Sequence, residues 1–263
     1  MNTIVILSVL SYLSATMLII NSLKRPHTKP VVLLITAICI ALSLHAASLY
    51  YAFTLPNGLN FSISNVVSLI HWVIAAVVSL CMFPLNLQLI IPAVYGCAGM
   101  ALLAMHSSTG VYLKPITDSM ETIAHIALSI AAYSILIISA LYALQLMWTR
   151  RQIKHKTITL NSSLTPLITA EKHIMSLVFI GSSLLSLSLA TGLVFVDNLF
   201  GSGIAHKTIL SLLAWGVYMT MLWHYFYHGC SATAAISYTL SGVTILTLAY
   251  FGARVVKEII LTT

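Results

Sequence analysis

Apolar and polar positions along this chain fall into long blocks rather than alternating. Mostly apolar runs extend from Ile4 to Leu23, Val31 to Tyr51, Phe61 to Phe83 and Leu87 to Met105. Four more extend from Thr122 to Trp148, Ile174 to Val196, Thr208 to Tyr227 and Ala232 to Phe251. A helix needs about 20 such residues to cross the hydrocarbon of a bilayer. The runs lack the alternation and the roughly ten-residue length of membrane barrel strands. The pattern therefore predicts an all-α, polytopic transmembrane helical bundle of about eight spanning helices, forming a single integral membrane domain over residues 1–263.

Local punctuation refines this outline. Pro84 and Asn86 mark a tight turn between the third and fourth helices, and Pro92 sits early in the fourth, where it would kink it. Asp118 followed by Glu121 reads as an N-cap and its N3 partner at the start of the fifth helix. Thr165 before Pro166 reads as the start of a short surface helix running into Glu171 and Lys172. The fifth run, at ~40 Å for a helix rising 1.5 Å per residue, exceeds a ~30 Å hydrocarbon core and must tilt or project. Ser182, Ser186 and Ala190 form a four-residue-spaced row of small side chains, a seam for close helix approach. The first run has no Lys or Arg before it, is followed by Lys24 and Arg25, and lacks a small-x-small cleavage pattern. It reads as a first spanning helix rather than a secretory signal.

Composition excludes the soluble alternatives. Of 263 residues, 59% are hydrophobic and 6% charged, against roughly 25% charged in a soluble domain. Disorder is excluded by the same hydrophobicity. The net charge of +7 lies in short clusters between apolar runs, with no aromatic-interleaved basic surface, so nucleic acid is not an expected partner. The lipid bilayer is. Lys24, Arg25, Lys29, Arg150, Arg151, Lys154, Lys156 and Lys172 fall on one side; Lys114, Lys207, Arg254 and Lys257 fall on the other. That imbalance favours an N-out/C-out arrangement. Tyr50, Tyr51 and Tyr250 suit one interfacial belt, and Trp148, Trp223 and Tyr227 the other. Cys39, Cys81, Cys97 and Cys230 contain no C-x-x-C pair and read as small buried hydrophobes.

Histidine is where chemistry could reside: ten histidines stand against five acidic residues. His45, His106, His125 and His206 are expected in the outer leaflet, His71 near the middle, and His27, His155, His173, His224 and His228 on the inner side. An ionisable side chain at membrane depth is a functional candidate by default, though a neutral imidazole can equally serve as a hydrogen bond between helices. His125 and His206 have the most local support. Glu121 lies one turn before His125 on the same face and could orient its ring. Tyr133 lies two turns further in, and Lys207 follows His206 as a partner for an anionic group. Two neutral imidazoles at the rim of a bundle are the ligand set of a six-coordinate haem iron, with Lys207, Lys114 or Arg254 available to propionates. The same geometry suits zinc or copper, and spacing alone does not choose. His224 and His228, four apart, can chelate a metal, but no third ligand is evident and interfacial anchoring is the simpler reading. Phosphate-cradling loops, G-x-S-x-G, H-E-x-x-H and paired buried acids are all missing, so the chain is not expected to be an enzyme.

The second half carries a family likeness. The stretch His125-Ile-Ala-Leu-Ser129-Ile-Ala-Ala-Tyr133, continuing to Ala140-Leu-Tyr-Ala143-Leu, resembles the cytochrome c assembly membrane protein family, the superfamily of the CcsA, ResC and HemX proteins. Leu164-Thr-Pro-Leu167, His206-Lys207 leading to Ala214-Trp215 and Tyr218, Gly229, and Leu248-Ala-Tyr250-Phe-Gly252 fit the same pattern. The likeness covers residues 120–258 well and the first four helices in outline. It implies a bacterial inner membrane protein that handles haem at the outer face, with His125 and His206 at the family's histidine positions; His45, by its depth in the outer leaflet, is a further cofactor-side candidate. One departure matters: haem-delivering members carry a W-G-x-x-W-x-W-D loop before the seventh helix, whereas Asp197 to His206 here contains no tryptophan. Haem binding or regulation of haem metabolism is then a better expectation than delivery. The competing expectations are a transporter or transporter subunit, and a scaffold that assembles other membrane proteins.

Overall fold

The computed structural model describes residues 2–24, 31–56, 58–83, 87–108, 110–111, 113–114, 120–155, 167–195 and 205–252. Among them the chain forms eight α-helices: α1 (Asn2–Lys24), α2 (Val31–Phe53), α3 (Ile63–Cys81), α4 (Ile91–Ser107), α5 (Met120–Lys154), α6 (Leu167–Phe195), α7 (Ala205–Tyr227) and α8 (Ala232–Thr247). Seven are long and apolar enough to cross a membrane, so the protein is an all-α, polytopic membrane bundle. The fourth apolar run is divided between a 3-10 turn, Leu87–Leu89, and the 17-residue α4. Pro92 stands in the first turn of α4, where no intrahelical N–H is needed, and so starts the helix instead of kinking it.

Two other expectations change. Residues Leu167 to Lys172 are not a separate surface helix but the opening turns of α6, which runs unbroken to Phe195. Nothing between Leu167 and Ile174 interrupts helical hydrogen bonding, since the stretch contains neither Gly nor Pro. Helix α5 has 35 residues, longer than its apolar run because the polar segment to Lys154 stays helical. The proposed cap at Asp118 and the Thr165–Pro166 start lie outside the described residues, as do Pro84 and Asn86.

A small antiparallel sheet was not legible in the sequence. β1 (Thr54–Leu55) pairs with β2 (Gly58–Asn60), which pairs with β3 (Leu113–Lys114). Gly58, which opens β2, has φ 141°, a conformation that a side chain would oppose.

The chain divides into two compact units, Met1–Asp118 and Ser119–Thr263. In the first, α1 packs on α2, α2 on α3, α3 on α4, and α4 back on α1. In the second the same cyclic order recurs, with α5 on α6, α6 on α7, α7 on α8, and α8 back on α5. Antiparallel neighbours joined by short connections give this order in each unit. In the second unit, α8 continues into a π-helical turn, Leu248–Gly252, a local widening often associated with functional sites.

Candidate functional site

The helix order of the second unit brings one end of each helix together: the start of α5, the end of α6, the start of α7 and the end of α8. His125 is near that end of α5. Its Nδ1 is 2.9 Å from the backbone carbonyl oxygen of Ser188 and 3.3 Å from Thr191 Oγ1, both on α6. A carbonyl can only accept, and the Thr191 hydroxyl already donates to the Ser188 and Leu187 carbonyls. Nδ1 is therefore the protonated nitrogen. In the neutral ring the lone pair lies on Nε2, the atom through which such a histidine ligates a metal.

Helix α6 admits the ring because of what it lacks. A Cβ at Gly192 would lie 2.9 Å from His125 Cε1 and 3.4 Å from Nδ1. One turn back, Ser188 Oγ is 2.6 Å from Ser129 Oγ on α5. The Ser129 hydroxyl donates to the His125 carbonyl, so Ser188 is the donor in that pair. Further down the same seam, a Cβ at Gly181 would lie 2.8 Å from Leu136. The close seam between α5 and α6 thus follows Gly181, Leu185, Ser188 and Gly192. The row singled out by spacing serves a different neighbour: Ser186 accepts a 2.8 Å hydrogen bond from Trp215 Nε1 on α7, and Ala190 is exposed.

Tyr133, two turns below His125, is buried against α8. Its hydroxyl is 2.8 Å from Thr247 Oγ1, which itself donates to the Val243 carbonyl, so Tyr133 donates. Its ring packs at 5.1 Å on Tyr250 and 6.0 Å on Phe251, both in the π-helical turn. Lys207 Nζ lies 5.1 Å from the centroid of the Tyr250 ring, a cation–π contact that holds a positive charge beside this aromatic cluster. Below it, Tyr218 of α7 is fully buried, its ring seated where a Cβ on Gly242 would come within 2.5 Å.

The residues expected to act together are distributed as follows. Tyr133 and Lys207 meet through Tyr250, while His125 keys into α6. His206 is exposed in the first turn of α7, and Glu121 is exposed in the first turn of α5. α5 and α7 each pack against α8. Spacing pointed to His125 and Tyr133 but not to Ser188, Thr191, Gly192 or Thr247. The Ser188-x-x-x-Gly192 spacing was a usable signal, of the same kind as the row that was chosen.

His45 belongs to the first unit and is fully buried. Nδ1 is 3.1 Å from the Tyr12 hydroxyl of α1, and Nε2 is 2.9 Å from Ser68 Oγ of α3. With both nitrogens engaged, it ties three helices together. The Tyr95 ring packs tilted against Tyr12 at 5.3 Å, and its hydroxyl donates to Ser79, whose own hydroxyl is committed to the Ala75 carbonyl. His71 bonds back to the Val67 carbonyl of its own helix. Among the described residues, no group of three or more His, Cys, Asp or Glu side chains could hold a metal ion. A haem iron requires only one or two protein ligands.

Comparison with known proteins places this geometry in context. A family model described as cytochrome C assembly protein matches residues 32–261. The chain is 34% identical over 258 residues to the inner membrane protein YpjD of Escherichia coli, covering 97% of this chain and 98% of that protein. It is 29% identical over 140 residues, 52% of each, to an uncharacterized 28.8 kDa protein of Azospirillum brasilense. No solved structure matches the chain.

Proposed function

The chain belongs to the cytochrome c assembly protein family, and from that premise we propose that it binds haem at the His125 end of its second helical unit. The protein acts there in haem handling or in regulating haem metabolism, not as an enzyme. The observation that carries this reading is the Nδ1–H of His125 donated to the Ser188 carbonyl, which sets the tautomer that a metal-ligating imidazole would require. The donor set fits: His125 is the ligand, Tyr133, Tyr250 and Phe251 supply aromatic and apolar surface, and Lys207 supplies charge for a propionate. His206, exposed one position before Lys207, is the second ligand in this reading. When bound, haem would supply an iron that imidazole nitrogens can hold and that can change oxidation state. The protein's own groups orient His125, exclude water along the α5–α6 seam, and neutralise carboxylates at the rim.

The absence of tryptophan between Asp197 and His206 supports retention or sensing over presentation to an apocytochrome. The name of the Escherichia coli relative supports a location in the bacterial inner membrane, and the cation distribution supports N-out/C-out. The test is an absorption spectrum of protein purified from haem-replete cells, oxidised and dithionite-reduced, beside His125→Ala. A Soret band with sharp reduced bands, lost in the variant, is expected. No Soret band at any ratio of added hemin would overturn the proposal.

A second reading rests on the recurring four-helix order of the two units. Internal structural repeats are a common basis of transporters. Solute flux in proteoliposomes, lost on replacing His71, would favour it.

A further inference from the structure

The opposite end of the second unit carries a histidine pair that the haem reading does not use. Helix α7 ends in an aromatic-rich turn, with Trp223 stacked on Tyr227 at 4.4 Å. The His228 N–H donates to the His224 carbonyl at 3.0 Å, so helical register persists through His228. Gly229, at φ 75°, then terminates it, as a left-handed glycine after a helix does. His224 and His228 therefore project from one face, one turn apart. Their ring centroids are 5.8 Å apart at an interplanar angle of 76°, and both side chains are exposed. His224 has a partner behind it: Nδ1 is 3.2 Å from the hydroxyl of Tyr238 on α8. That leaves Nε2 as the outward nitrogen and gives the ring a fixed bearing across the α7–α8 turn.

We propose that His224 and His228 bind one divalent transition-metal ion of the copper–nickel–zinc class, with Tyr238 as the positioning residue. Two imidazoles one helical turn apart can close on a single ion with nitrogens about 2.0–2.1 Å away. Imidazole donors suit zinc, copper and nickel rather than magnesium or calcium. The pair cannot serve a haem, because side chains on one helix face reach an ion from the same side, whereas two axial ligands must lie on opposite faces of the macrocycle. No third His, Cys, Asp or Glu among the described residues joins them, so water completes the coordination sphere and the site exchanges readily. Cys230, two residues on, is half-buried with its sulfur 3.7 Å from the Ser231 carbonyl oxygen. Tyr238, whose hydroxyl can accept from a Nδ1–H when Nε2 ligates, acts as hydrogen-bond partners of metal-bound histidines do, fixing the ring's orientation.

The test uses the full chain in detergent, purified on a tag without histidines. Zn²⁺ is titrated against a chromophoric chelator, and Cu²⁺ is followed by electron paramagnetic resonance. One ion with two nitrogen ligands is expected. His228→Ala should lose it, Tyr238→Phe should weaken it by about tenfold, and His125→Ala should leave it unchanged. His228 is exposed at a helix end, so equal melting temperatures in the absence of metal verify that the variant is folded. Zn²⁺ affinity in folded His228→Ala equal to that of the unaltered protein would overturn the proposal. So would a copper spectrum with one nitrogen.

Discussion

His125 Nδ1 lies 2.9 Å from the carbonyl oxygen of Ser188, a residue 63 positions further along the chain and on the next helix. The bond aims the imidazole with a backbone carbonyl. It exists because Gly192, four residues beyond Ser188, leaves the ring room to sit on α6.

Gly192→Ala should therefore damage the site without touching a ligand. Its new Cβ would lie 2.9 Å from Cε1, and overpacking of this kind costs about 1–3 kcal/mol. Hemin titration should show affinity weaker by about fivefold or more, since 1.4 kcal/mol is tenfold, with a lower melting temperature. An affinity equal to that of the unaltered protein would remove Gly192 from the account.

The two candidate ligands should behave differently. His125→Ala should abolish the Soret band, because the oriented ring is lost. His206→Ala should keep a Soret band but convert a six-coordinate, low-spin iron to five-coordinate and high-spin, read by electron paramagnetic resonance. A low-spin spectrum persisting in His206→Ala would show that His206 is not the second ligand.

His45 predicts a stability effect separable from haem. His45→Phe strands the Tyr12 and Ser68 hydroxyls, and an unsatisfied buried group costs about 1–3 kcal/mol. The melting temperature should fall in His45→Phe with hemin affinity unchanged. A changed Soret maximum would mean that His45 takes part in the haem site.

Tyr218 gives the reverse case. Its hydroxyl is buried with no hydrogen-bond partner among the described residues, so Tyr218→Phe should be neutral or raise the melting temperature. Gly242→Ala should lower it, since the added Cβ would meet the Tyr218 ring at 2.5 Å. Pairing Gly242→Ala with Tyr218→Leu should recover part of that loss.

Cys230 makes a pH prediction in the turn between α7 and α8. Burial, and secondarily the negative charge of Glu171, hold its thiol above the usual range of a free cysteine. A raised pKa leaves less thiolate at any given pH, so maleimide labelling of Cys230 should be slow near neutrality and rise with a midpoint above about 8.5. Glu171→Gln should move that midpoint down without returning it to the ordinary value, because burial is the larger cause. A pH profile unchanged by Glu171→Gln would exclude the electrostatic contribution. Carried out on intact cells and inverted vesicles with the other cysteines replaced, the same labelling tests the N-out/C-out orientation.

What the sequence determined by itself was the class of protein and the run of its helices. Charge scarcity and apolar block length are summed over many residues, and lipid imposes them on every spanning helix. The family was legible as well, from contiguous stretches such as those around His125 and Ala214–Trp215, and the family match extends over residues 32–261. Boundaries set by polar residues were less so: Leu167–Lys172 joined α6, and Pro92 opened α4. The fourfold packing order repeated in both units left no trace, since packing order constrains the shape of faces more than the identity of residues. Only the tertiary structure decided which atoms His45 and His125 hydrogen-bond. His45 and His125 both lie on apolar helices, yet one meets two hydroxyls from two helices and the other meets a carbonyl beside a glycine. Those partners are 23 to 66 residues away. The state of an imidazole is set by the atoms that hydrogen-bond its two nitrogens, and helix packing determines which atoms those are.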